Sequence, residues 1–191
     1  PGGKLPVTFP QTIGQVPLYY NYKPTGRGYA YIQVSGEPQF AFGYGLSYTD
    51  FTYSDLELSA TKIPVDGKLQ VTFKIKNTGQ MSGDEVVQLY IHDEVGSVSR
   101  PVKELRKFKR IQMSPAEEQR ITFEISSGDL TMLDAKLYKV IEPGVFEIMI
   151  GSSSAAQYLY QRGREMVSLK RTDSALIYFR QAVFIAPGFS R

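Results

Sequence analysis

The 191-residue chain contains no cysteine and no tryptophan, and it has a single histidine. Without thiols there is no disulfide, no thiolate metal site and no cysteine nucleophile. With one imidazole, His92, a metal centre built from nitrogen and sulfur ligands is equally starved. Any serine–histidine–acid set has to use His92 in "YIHDEVG", where a strand-end imidazole beside a turn is the plainer reading. The missing tryptophan removes the strongest stacking platform for a sugar or a base. No apolar run approaches the roughly 18–20 residues of a membrane span, and no cationic-then-apolar leader opens the chain. It starts "PGGKLPVTFP", without methionine, which reads as a start inside a longer gene product.

Charge of one sign is also scarce. The net charge is +3. From Ser152 onward six Lys/Arg stand against two acids, which leaves 16 against 17 for residues 1–151. The body is electroneutral and the basic tail carries its cations at helical spacing, so neither nucleic acid nor membrane is an expected partner.

What is present is alternation. "LQVTFKIKN" sets Leu69, Val71, Phe73 and Ile75 on one face, and "RITFEIS" repeats this with Ile121, Phe123 and Ile125. "VFEIMIG" does so with Phe146, Ile148 and Ile150, and "EVVQLYIHD" with Val87, Leu89 and Ile91. Period two is what half-buried strands require. Turn chemistry at 77–84, 113–119, 126–129 and 142–144 separates the runs. The expected fold is mainly β: a fibronectin type III or immunoglobulin-like antiparallel sandwich over 50–151. Before it, 1–10 reads as one strand and 11–49 as an irregular aromatic connector. After it the period changes: "AAQYLYQRGREMVSL" and "SALIYFRQAVFIAP" read as an α-helical hairpin over 155–189. Its spacing matches one tetratricopeptide repeat through Leu159, Gly163, Met166, Ala175, Phe179, Ala182 and Pro187. A single repeat cannot bury its own apolar face, so a docking surface, further repeats or an artificial junction is implied.

The most conspicuous stretch is "FAFGYGLSYTDFTY" (40–53). Gly43-x-Gly45 begins a dinucleotide fingerprint, but the third position is Tyr48 and a strand follows rather than a helix, so no phosphate cradle forms. Tyr44 and Tyr48, with Tyr19, Tyr20, Tyr22, Tyr29 and Tyr31, are candidates for stacking on sugar; the competing reading is anchorage of an irregular segment. The acidic doublets Asp84/Glu85, Asp93/Glu94 and Glu117/Glu118 are not glycosidase pairs, because neighbours on a strand point to opposite faces. They read as solvated charges. No cofactor is called for.

Taken together, "KLPVTFP", "YYNYKPTGR", "FAFGYGLSYTDFTYSDLELS", "VTFKIKNTGQMSGDEVVQLYIHDEVGSVSRPVKELRKFKRI" and "EPGVFEIMIGSSS" resemble the C-terminal part of family-three glycoside hydrolases, the β-glucosidases and β-xylosidases. The resemblance covers about residues 1–154. It implies a retaining enzyme of the periplasm or exterior whose catalytic Asp and Glu lie on preceding barrel and α/β domains. Neither motif occurs here, so no catalytic residue carries over, and "KLPVTFP" corresponds to the last strand of the α/β domain. By this resemblance the chain is an accessory domain that stabilises the catalytic domains, its partners, and borders their cleft. Residues 1–10 are then expected to lack their sheet neighbours and 1–40 to be mobile or irregularly packed, with 50–151 folding independently. Two other functions fit the residues: an adaptor whose helical tail holds a peptide or a further repeat, and a carbohydrate-binding module working through Tyr44 and Tyr48.

Overall fold

The computed structural model describes residues 2–24, 36–155, 158–159, 176–181 and 183–184. The strands are β1 (Phe51–Leu58), β2 (Lys62–Pro64), β3 (Lys68–Asn77), β4 (Gly83–Asp93), β5 (Glu104–Met113), β6 (Glu118–Ser126), β7 (Met132–Leu133), β8 (Lys139–Val140), β9 (Val145–Gly151), β10 (Tyr158–Leu159), β11 (Leu176–Gln181) and β12 (Val183–Phe184). A single helical turn, α1 (Ser127–Leu130), follows β6. The two larger sheets have the orders β1-β3-β6 and β2-β11-β9-β4-β5, and β7-β8 and β10-β12 form two-stranded ones.

The alternating runs become these strands because each can turn an apolar face inward while the two sheets satisfy its backbone groups. Leu69, Val71, Phe73 and Ile75 meet Ile121, Phe123 and Ile125 of the same sheet. They pack against Val87, Leu89, Ile91, Ile111, Phe146, Ile148 and Ile150 of the other. Register is unbroken between β3 and β6, from Lys68↔Ser126 to Lys76↔Glu118. A slip of one residue would expose every one of these side chains. Two bulges interrupt the ladders. One lies between Ser54 and Glu57 of β1, where Asp55 takes φ 52° and its carboxylate meets Lys74 Nζ at 3.0 Å. The other leaves Arg106 of β5 without an opposite number.

The tail departs from the helical expectation. Residues 176–181 are extended, parallel to β9 (Phe179↔Phe146) and antiparallel to β2 (Ile177↔Ile63). Leu159 lies in β10, which pairs with β12. The helical hairpin over 155–189 is therefore corrected at these stretches. Leu-Ile-Tyr-Phe is rich in β-branched and aromatic residues, which suit a pleated surface better than a helix. The strand at β9 offers backbone groups that an extended neighbour satisfies. Gly163, Met166, Ala175, Ala182 and Pro187 lie outside the described residues.

The leading segment, expected as a strand, meets the chain's own residues through the isolated bridge Phe9↔Phe40. Phe9 N–H donates to Phe40 O (2.8 Å) and Leu5 N–H to Tyr44 O (2.8 Å), while Gly43 N–H donates to Leu5 O (2.8 Å). Residues 5–9 thus lie along 39–44, and Ile13–Gln15 forms one 3-10 turn.

Candidate functional site

Two glycines seat the conspicuous stretch on the sandwich. Gly43 has φ +81°, a left-handed conformation that disfavours a side chain, and a Cβ there would lie 2.7 Å from Gln88 Nε2. That carboxamide is buried: Nε2 donates to Ser152 O (2.8 Å), and its Oε1 accepts from the Tyr90 hydroxyl. Beside it Tyr20 stacks on Phe42 (4.3 Å between centroids) and meets Tyr90 edge-on at 5.8 Å. Burial holds the Tyr90 phenol far above its ordinary pKa, so it stays a donor. Gly43→Ala should destabilise by roughly 2 kcal/mol, from the left-handed backbone and the clash together. Gly14→Ala, on an exposed turn, should stay within about 0.5 kcal/mol. Urea unfolding of the two variants checks both.

The structure places Tyr44 and Tyr48 in different surroundings. Tyr44 is half-buried against Phe40, at 4.9 Å and an angle of 38°, whereas Tyr48 stands 74% exposed. Phe40 in turn meets Phe9 edge-on at 6.3 Å. Together with Val7 these rings make an exposed apolar strip, with Val7, Phe9 and Phe40 each 38–49% exposed. Of the remaining tyrosines, Tyr20 and Tyr22 hold the connector to the sandwich, the latter through Val102 N–H donating to its carbonyl (2.9 Å). Tyr29 and Tyr31 lie outside the described residues.

Two of the three acidic doublets read from sequence as solvated, Asp84/Glu85 and Asp93/Glu94, each turn one acid inward. Glu85 and Asp93 lie on the inward parity of β4, at opposite ends of the row Val87, Leu89, Ile91, and both are buried. Burial raises the Glu85 pKa, opposed by the Lys4 ammonium 3.1 Å from Oε1 and by the Tyr53 hydroxyl donating at 3.2 Å. Burial likewise raises the Asp93 pKa, opposed by Arg100, whose Nε lies 3.4 Å away. Arg100 continues to Glu104 (3.1 Å), which also takes Arg106 (2.9 Å). Asp84 has the outward parity, and it accepts from Arg110 Nε at 3.0 Å. Sequence reading missed these roles, although the parity of Glu85 and Asp93 with the core row was the available signal.

As acid–base chemistry, the arrangement offers little. A carboxyl with a raised pKa is a general-acid candidate in principle. Here, however, Glu85 Oε1 is engaged by both Lys4 and Tyr53, and Asp93 by Arg100. His92 sits opposite Glu147 in the register of β4 and β9. Burial lowers the Lys103 pKa, and its Nζ donates to Ser154 O at 2.8 Å, fixing the end of the sandwich. Among the described residues no three His, Asp or Glu side chains gather as metal ligands.

Against known proteins, residues 85–154 match the fibronectin type III-like domain family. A β-xylosidase of Formosa agariphila is 43% identical over 162 residues, covering 83% of this chain and 22% of its own length. The periplasmic β-glucosidase of Salmonella typhimurium is 39% identical over 165 residues, covering 81% of this chain and 22% of its own. A solved β-glucosidase of Erythrobacter marinus superimposes with TM-score 0.76 at 36% identity, over 96% of this chain and 22% of that one. The chain spans about a fifth of the length of the curated relatives it matches. Residues 85–154 thus match a fibronectin type III-like domain, and most of the chain is similar to a part of β-glucosidases and β-xylosidases.

Proposed function

We propose that the chain serves as the accessory β-sandwich of a β-glycosidase acting on terminal β-linked glucosyl or xylosyl residues, with the reacting carboxylates on other domains. The observation that carries this reading is the continuous similarity to β-glucosidases and β-xylosidases over more than four-fifths of the chain, matched by only about a fifth of each relative. The fate of the chain's own acids supports it, since the two buried carboxylates of β4 are engaged by cations. So does the Val7–Phe9–Phe40 strip, an apolar surface of the kind that a neighbouring domain covers. The role is then structural: a rigid sandwich that holds the leading segment and its aromatic strip in one orientation against the catalytic part.

Assay of the purified chain with 4-nitrophenyl β-D-glucoside and β-D-xyloside tests the reading. The expected result is release of nitrophenol at the rate of buffer alone. Turnover that scales with chain concentration overturns it.

A further inference from the structure

The sandwich does not close on its own residues. At the end where β4 begins, the inward row finishes in the Glu85 carboxylate, and the group that neutralises it comes from 81 residues earlier in the chain. Lys4 Nζ lies 3.1 Å from Oε1 and 3.4 Å from Oε2, with side-chain exposures of 16% for Lys4 and 5% for Glu85. Tyr53, from β1, donates to the same oxygen. A buried carboxylate with its cation removed is left uncompensated in a low-dielectric site.

The path of Lys4 is prepared by the same stretch that seats Gln88. A Cβ on Gly45 would lie 2.8 Å from Lys4 Cδ and would overlap the Gly3 carbonyl, so only glycine leaves room for residues 3–4. Gly2 is pressed in the same way, with its own Cβ direction 2.9 Å from Asp84 Cβ. Leu5 is then fixed by the paired bonds to Tyr44 and Gly43. Gly43 admits Gln88 and Gly45 admits Lys4: one loop locks the segment from both sides.

We propose that residues 2–5, with the Gly43–Gly45 loop, form a charge latch: seating of Lys4 on Glu85 and folding of the sandwich are one cooperative event. The foldable unit therefore begins at the leading segment, not at β1. Displacing residues 2–5 leaves the Glu85 carboxylate without its cation. This inference stands independently of the glycosidase reading.

Lys4→Met in the full chain tests it, with Glu85→Gln and the double variant completing a cycle. Lys4→Met should raise the unfolding equilibrium constant roughly 100-fold or more at neutral pH. The double variant should recover most of that loss, because no charge is left buried. The groups facing Glu85 are Lys4 and Tyr53, with the Val86 N–H on its own strand; Asp84 and Arg110 pair on the opposite face. Without Lys4, burial favours the protonated carboxyl in the folded state. The deficit should then be small at about pH 4 and widen toward about pH 8 as Glu85 ionises. Hydrogen exchange at the Leu5 and Gly43 amides should be as slow as in the core strands of the unaltered protein, and much faster in Lys4→Met. A deficit that is the same at both pH values, a double variant no better than Lys4→Met, or fast exchange at Leu5 in the unaltered protein would each overturn the latch.

Discussion

Phe73→Ala is expected to lower the stability of the sandwich by about 3–5 kcal/mol, the usual cost of removing a buried phenylalanine. Phe73 is 1% exposed at the middle of β3. Its ring lies 6.2 Å from Tyr53 and 5.9 Å from Phe123, so three rings from β1, β3 and β6 fill one layer. Strands on both sides hold their backbones in register and cannot collapse into the space left behind. The melting temperature should fall by roughly 10 °C. Phe108→Ala makes the control: that ring is 70% exposed on β5, and its loss should change stability by no more than about 0.5 kcal/mol. Equal effects at the two positions would contradict the assignment of the inward faces.

Asn77→Ala should be nearly as damaging, at about 3 kcal/mol or more, for a polar reason. Asn77 closes β3 and is fully buried. Its Oδ1 accepts from the Thr49 hydroxyl (2.6 Å) and the Gly79 N–H (3.0 Å). Its Nδ2 donates to the carbonyls of Met81 (2.8 Å) and Met113 (3.3 Å). Alanine leaves four groups without the carboxamide that they share. Asn77→Asp is expected to be at least as costly at neutral pH, because it turns an oxygen toward two carbonyls. Its penalty should shrink in acid, where the carboxylic acid donates in place of the amide. Thermal unfolding of both variants across pH decides this, and a pH-independent Asn77→Asp penalty would contradict the network.

The sandwich was legible because its strands are half-buried. Leu69, Val71, Phe73 and Ile75 alternate with Gln70, Thr72, Lys74 and Lys76, and this pattern has no other stable use. Its ends were not legible for an equally physical reason. In "GDEVV" and "IHDEV" two adjacent acids look like turn charges, but alternation sends one of each pair inward. Their partners, Lys4 and Arg100, lie where no local period points to them. The two glycines of "FAFGYG" serve particular neighbours, Gln88 and Lys4, which only the tertiary structure brings together. In the tail, "ALIYFRQAVF" fits both a helical stripe and a strand. The choice falls to what lies beside it, and at 176–181 that is the sheet formed by β2 and β9.

The central claim is that this chain supplies a sandwich to a glycosidase whose chemistry lies elsewhere. It is tested most directly by building residues 1–154 into the Salmonella typhimurium β-glucosidase in place of the segment they match. The account predicts that the hybrid hydrolyses an aryl β-glucoside while an otherwise identical enzyme lacking the segment does not. A hybrid no more active than the deletion would contradict it.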